Sequence, residues 1–253
     1  MSRPWTIAAV ALLFACRGVA AADDAPNPDP WEGFNRKIYA FNDFADRYFM
    51  KPVAKGYQAA TPPPVKRGIT SFFSNLSYPL VALNQLLQGR FRLSASDAGR
   101  FIVNTTLGVG GLFDPASKAG LPSHDEDFGV TFAKWGMHSG PYLVLPFLGP
   151  STVRDGVGSA VNFFAQPVRY LIDDETTRYG LTALNFIQIR AGLLDTEQLL
   201  GGDRYVFLRD AYLQRRDYLI HDGQVKDDFG DEDDSGQEGQ QEGPQDGQEQ
   251  GHE

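Results

Sequence analysis

One cysteine, three methionines and four histidines are all that 253 residues offer to thiol, thioether or imidazole chemistry. A lone thiol, Cys16, excludes a disulfide framework and a cysteine-based zinc site. With one of the four histidines in the far C-terminal stretch, little material remains for a His-based centre. Clustered positive charge is also missing. Lys and Arg number 23 against 32 Asp and Glu, a formal net charge of −9. The excess is local, because Asp222–Glu253 holds 12 acidic residues and one basic, Lys226, while the first 22 residues carry only Arg3 and Arg17. Asp23–His221 is therefore electrically neutral, which argues against a nucleic-acid-binding domain. No apolar run approaches the ~20 residues that a spanning helix needs.

Signatures of catalysis are equally scarce. There is no G-x-S-x-G elbow, and Ser139 beside His138 sits between glycines as a loop residue, since a Ser–His pair needs spatial geometry rather than adjacency. Gly108-Val109-Gly110-Gly111 lacks a third spaced glycine and a preceding strand, so it reads as a turn. His124-Asp125-Glu126-Asp127 gathers ligand types, yet three carboxylates ahead of Phe128 read as a solvated helix start. The chain is not expected to be an enzyme, and no cofactor or metal is expected.

What is present begins with an export signal over Met1–Ala22: Arg3, a short apolar stretch Ile7–Ala15, then small residues. Two cleavage readings stay open. Leu13-Phe14-Ala15-Cys16 resembles a lipoprotein signal box that would leave Cys16 lipidated, although Phe14 is bulkier than the pattern favours. Ala20-x-Ala22 is an ordinary cleavage site that would discard Cys16. From Asp222 onward the chain is Gly, Gln, Asp and Glu with few apolar side chains, a composition expected to stay disordered.

The body reads as all-α. Asp29-Pro30-Trp31-Glu32 predicts a helix start with Asp as N-cap and Glu three residues later. Trp31, Phe34, Ile38, Phe41, Ala45 and Phe49 then recur at helical spacing. Pro62-Pro63-Pro64 precedes a second helix with Val65, Ile69, Phe72, Phe73 and Leu76. Pro79 is expected to start a third, closed by Gly89, and Ser94 with Asp97 to cap a fourth toward Leu107. Later helices are predicted over Ser151–Phe164, Asp174–Leu200 and Asp203–His221, with a hairpin arm at most over Pro141–Phe147. Two stretches, Gly68–Gly89 and Trp135–Val153, carry no charge over 22 and 19 residues. Too polar to span a bilayer, they suit either a membrane interface or a buried helical core; composition alone favours the core.

Five segments together resemble the MlaA (VacJ) family of outer-membrane phospholipid-transport lipoproteins: DPWEGFNRKIYAFN at Asp29–Asn42, NLSYPLVALNQLLQG at Asn75–Gly89, RFIVNTTLGVGGLFDP at Arg100–Pro115, Glu126–Asp155, and AYLQRRD at Ala211–Asp217. They occur in the family's order across Asp29–Gly223. The resemblance implies a ring of amphipathic helices in one leaflet of the outer membrane around a channel. Phospholipids misplaced in the outer leaflet would pass through it toward the periplasm, with trimeric porins and the periplasmic lipid carrier MlaC as partners. It further implies a flexible loop beside the channel at Gly136, Gly140, Pro141 and Tyr142, control of opening at Phe41 and Asn42, and lipid contact through Leu80, Leu83 and Leu87. Asn84 and Gln85 would face protein or channel, and Gly108, Gly110 and Gly111 would shape a turn near the membrane. Lys134, Arg154 and Arg169 are candidates to attract lipid phosphates. If Cys16 is lipidated, Arg17 lacks the Asp that directs inner-membrane retention. A structural envelope protein that moves no lipid would share all these gross features.

Overall fold

The computed structural model describes residues 27–199 and 202–224. The expected export signal, Cys16 and most of the acidic tail lie outside them. Within them the chain is helical apart from one hairpin. α1 (Glu32–Ala45) runs through a π-helical turn (Asp46–Met50) into α2 (Lys51–Ala60). Pro52 explains the π turn: it has no N–H for the carbonyl four residues back and its ring crowds that carbonyl, so one turn widens instead of breaking. α3 (Pro63–Leu87) and α4 (Phe91–Thr106) form an antiparallel pair joined at Gly89, whose φ of +77° suits glycine alone.

Short α5 (Pro115–Lys118) and α6 (Phe128–Lys134) lead to β1 (Tyr142–Leu145) and β2 (Gly149–Thr152), paired antiparallel with Tyr142 opposite Thr152. Then come α7 (Val153–Ala165), α8 (Val168–Leu171), α9 (Glu175–Gly192), a 3-10 turn (Thr196–Leu199) and α10 (Arg204–Ile220).

Several boundaries differ from expectation for identifiable reasons. Pro79 does not start a helix but sits inside α3; the flanking residues pack tightly enough to carry the helix through the missing hydrogen bond. Asp29 does not cap α1. Its carboxylate accepts instead from Asn35 Nδ2 (2.8 Å) and from the Tyr205 hydroxyl, while Glu32 pairs with Arg36 at 2.7 Å. Ser94 and Asp97 lie within α4: Ser94 Oγ donates to the Ala82 carbonyl and Asp97 meets His124 Nδ1 at 3.0 Å. Ser151 and Thr152 belong to β2, and Thr152 caps α7 through the Asp155 N–H. Asp174 and Asp203 do cap α9 and α10, at 2.7 and 3.0 Å from the Thr177 and Tyr205 amides. The folded body also extends past His221. Asp222 accepts from both Arg90 and Lys134, and Gly223 closes α10 through the Tyr218 carbonyl.

The interior is unusually polar. Among the described residues, 14 buried side chains are polar or charged against 13 apolar, while 33 large hydrophobic side chains are exposed. That is the reverse of a water-soluble domain, in which buried polar groups are the minority. Buried Asn75, Asn84, Gln85, Asp97, Arg100, Asn104 and Thr131 form a seam between α3, α4 and α6. Thr131 Oγ1 donates to Asn84 Oδ1 at 2.7 Å, and Arg100 holds Asp114 at 2.9 Å. A second knot joins α6, α7 and α10: Arg216 binds Asp127 (2.6 Å) and Asp155 (3.0 Å), Arg154 binds Asp155 (2.9 Å), and Tyr212 donates to Asp155. Burial alone would raise the Asp155 pKa, but the Arg154 hydrogen bond, the Arg216 charge and Tyr212 hold it below the usual carboxylate range.

Candidate functional site

Two asparagines on α1 fasten the hairpin. Asn35, fully buried, accepts from the Val144 N–H (2.9 Å) and donates to the Tyr142 carbonyl (3.0 Å). Asn42 repeats the pattern, accepting from the Phe147 N–H (2.8 Å) and donating to the Leu145 carbonyl (2.9 Å). Seven helical residues rise ~10 Å, and three strand residues advance about the same. The amides thus take the place of a neighbouring strand along the free edge of β1. Phe41 adds an edge-on contact to Phe147, with ring centroids 5.1 Å apart.

Behind this latch lies an amphipathic cavity of about 350 Å³, bounded by α1, the hairpin, the end of α9 and the start of α10. Tyr39, Val144, Leu193, Phe207 and Leu208 supply apolar wall; Asn42, Asp43, Asp46, Arg190, Glu197 and Arg204 supply polar wall. It shares Asp43, Asp46, Glu197 and Arg204 with a charged vestibule of about 690 Å³ that reaches along α2 to Lys51 and Lys55. Between the two runs an ion-pair chain. Arg190 binds Asp46 in a fork at 2.6 and 2.8 Å and Glu197 at 2.8 Å, and Lys51 binds Glu197 at 2.8 Å. Hydrogen bonds from Lys51 and Arg190 pull the Glu197 pKa down to about 2.

Of the loop residues, Gly136 and Gly140 adopt φ of +89° and +66°, and a Cβ on Gly140 would stand 3.1 Å from Val153. Pro141 accepts from the Val153 amide, and Tyr142 is buried at the cavity wall, its hydroxyl pKa pushed up to about 12 by desolvation and by nearby Asp29. Phe41 and Asn42 meet the same hairpin from α1, so these positions converge. Leu83 and Leu87 point outward, with Leu86 beside them, whereas Leu80 is buried; only the first two remain placed for outside contact. Asn84 and Gln85 face protein. Gly108, Gly110 and Gly111 do shape a turn, where a Cβ on Gly111 would meet Asn75 at 2.6 Å.

Arg154 is buried in its pair with Asp155 and is unavailable to a phosphate, and Lys134 is engaged by Asp222. Arg169 lies over Phe163 at 4.2 Å. The carboxylates after His124 do mark a helix start, since Asp127 caps α6 at the Val130 amide and Asp125 is exposed, but the Glu126 side chain is largely buried, and Asp125, Glu126 and Asp127 each bind an arginine. The charge-free stretches turn out to be mixed, with Tyr78, Val81, Tyr142 and Val144 inside and Leu86, Trp135, Phe147 and Leu148 outside.

A family model described as MlaA lipoprotein matches residues 27–219. The chain belongs to the MlaA lipoprotein family. It is 36% identical over 221 residues to the intermembrane phospholipid transport system lipoprotein MlaA of Escherichia coli K12, covering 85% of this chain and 87% of that one. The protein of the same description from Haemophilus influenzae is 30% identical over 227 residues, 87% and 90% of the two chains. An uncharacterized protein of Rickettsia felis is 39% identical over 196 residues, 76% and 78% of the two. A structure solved for the structural basis of bacterial outer membrane lipid asymmetry superposes with a TM-score of 0.68 at 35% identity, covering 77% of this chain and all of that one.

Sequence reasoning missed the charged vestibule of this MlaA-family chain. Asp46, Lys51, Arg190 and Glu197 read individually as solvated charges, and their partners lie as far as 146 residues away. The one available signal was Arg47, Lys51 and Lys55 at helical spacing.

Proposed function

We propose that this chain removes misplaced phospholipid from the outer leaflet of the outer membrane and passes it toward the periplasm, so maintaining lipid asymmetry. The observation that carries this reading is the amphipathic cavity set inside a molecule that exposes 33 large hydrophobic side chains among its described residues. A phospholipid crossing a bilayer must move a charged headgroup through a medium that cannot solvate it. A route with charged wall on one side and apolar wall on the other lowers that barrier while leaving the acyl chains in contact with hydrocarbon. No covalent step is required, and the protein acts as a conduit rather than an enzyme.

None of the described helices is long and apolar enough to cross a membrane. The outward faces of α3, α7, α8 and α9, with Leu83, Leu87, Phe163, Leu171 and Phe186, suit amphipathic helices lying in one leaflet. We place them in the periplasmic leaflet of the outer membrane, as a ring around the cavity, anchored by lipid on Cys16. The hairpin held by Asn35 and Asn42 serves as the gate, with Gly136 and Gly140 as its hinge and the Phe41–Phe147 contact as part of the closed state. Trimeric porins hold the protein in place, and a soluble carrier of the MlaC kind accepts the lipid.

The deciding experiment labels surface-exposed phospholipid on cells with the gene, without it, and with it restored. A rise on deletion that complementation reverses supports the reading; no change would leave a structural envelope component. Gly140→Val, which strains the hinge, should restore less than the unaltered gene.

A further inference from the structure

The vestibule has an uneven charge balance that its ion pairs expose. Three carboxylates line it, Asp43, Asp46 and Glu197, and each already receives a cation: Arg47 at 2.6 Å, Arg190 at 2.6 Å and Lys51 at 2.8 Å. Two further cations line it without a comparable partner. Lys55 has no carboxylate within ion-pair distance among the described residues, and Arg204 stands 3.6 Å from a Glu197 that Lys51 and Arg190 already saturate. Arg47, Lys51 and Lys55 follow one another at helical spacing, so the π turn and α2 present a cationic stripe to the cavity.

A phosphodiester entering here finds two unspent positive charges. A headgroup ammonium finds no free carboxylate, and would have to displace an arginine or lysine from a formed pair. The vestibule borders the apolar-walled cavity along Asp43, Asp46, Glu197 and Arg204, so room for the rest of a lipid lies directly beside it. Tyr48, Phe49 and Val53, on the same stretch of helix, are exposed.

We infer that the vestibule is a headgroup subsite selective for net-negative phospholipids, those with a phosphodiester and no compensating ammonium, and that Lys55 and Arg204 set the preference. The inference rests on the lipid-transport reading above and names its preferred cargo.

The test uses the purified full chain in detergent, loaded from mixed micelles of dioleoyl-phosphatidylglycerol or dioleoyl-phosphatidylethanolamine, with bound lipid quantified by mass spectrometry. Phosphatidylglycerol should bind about 3- to 10-fold more tightly, the range that one or two partly exposed charge contacts supply. The double variant Lys55→Ala/Arg204→Ala should bring the ratio close to unity without changing thermal stability, because both side chains are exposed, and Lys118→Ala on α5 should leave it unchanged. Glycerol phosphate and inorganic phosphate serve as competitors. Equal binding of the two lipids, or a preference that survives the double variant, overturns the inference and leaves transport standing. Competition by inorganic phosphate as strong as by the lipid would assign the vestibule to a free anion, which also overturns it. Failure to load either lipid would remove the transport reading together with the inference.

Discussion

Asn35 shows how much a single side chain decides here. Its amide makes three hydrogen bonds, to Asp29, Tyr142 and Val144, in a place without solvent. Removing it strands the Val144 N–H and one oxygen, Oδ1, of the Asp29 carboxylate, and each stranded buried group costs ~1–3 kcal/mol. Asn35→Ala should therefore lose about 2–4 kcal/mol, read as a lower thermal midpoint. Asn42 makes the same pair of contacts in a half-exposed position, so Asn42→Ala should cost less and show up locally. The Phe147 amide should exchange with deuterium about tenfold faster or more, while the α3–α4 pair keeps its protection. Glu197 gives a pH signature. Its folded pKa, about 2, lies below the ordinary 4.5, so its ion pairs contribute fully above 4.5 and are lost as pH falls from there toward 2. Glu197→Gln should flatten stability against pH in that window, measured by denaturant unfolding against the unaltered chain. None of these partnerships was legible in the sequence. Asn35 reads as a polar residue on an amphipathic helix, and its two hairpin partners are 107 and 109 residues away.

At the scale of elements the sequence was far more readable, because helices are specified locally. Asp174 and Asp203 cap where cap chemistry predicts, the Pro141 hairpin arm appears, and the apolar spacing of α1 survives in its outward Phe34 and Phe41. Misreadings cluster where tertiary packing overrides a local rule. Pro79 stops a helix in isolation at a cost of ~3 kcal/mol, yet α3 passes through it because Tyr78, Leu80 and Val81 are buried on either side. The α6–α7 contact depends on glycine. A Cβ on Gly158 of α7 would fall 2.4 Å from the Gly129 backbone nitrogen of α6, where no side chain can swing away. Gly158→Ala must therefore separate α6 from α7 and pull on the Arg216–Asp155 pair between α10 and α7. It should cost about 3 kcal/mol or more, with poor yield of folded protein; Gly180→Ala on α9, which meets nothing within 4 Å, should be neutral to stabilising.

The whole molecule is organised around an exchange of inside and outside. Its largest buried side chains include Arg100, Gln85, Asn35 and Asn75, and its most exposed apolar residues include Leu171 at 79%, Tyr170 at 74% and Leu107 at 74%. In water such a surface is an aggregation hazard; against acyl chains it is the stable arrangement, and polar contacts then supply the specificity that an apolar core gives elsewhere. Composition could not reveal this, because 42% hydrophobic residues fit a soluble core equally well; only the folded placement separates the two. A measurement follows that depends on no assumption about transport. In the chain expressed without residues 1–22, so that any lipid on Cys16 is absent, Phe164, Tyr170 and Leu171 changed together to Gln would remove three exposed apolar groups from one edge. Each is worth ~1–2 kcal/mol of transfer, so vesicle flotation should show binding weaker by about 100-fold or more. Thermal stability should stay within about 0.5 kcal/mol, since exposed side chains contribute little to folding. A loss of stability with unchanged flotation would mean that these residues pack against protein, and the membrane-facing edge would have to be sought on Leu107, Val109 and Phe113 at the α4–α5 turn.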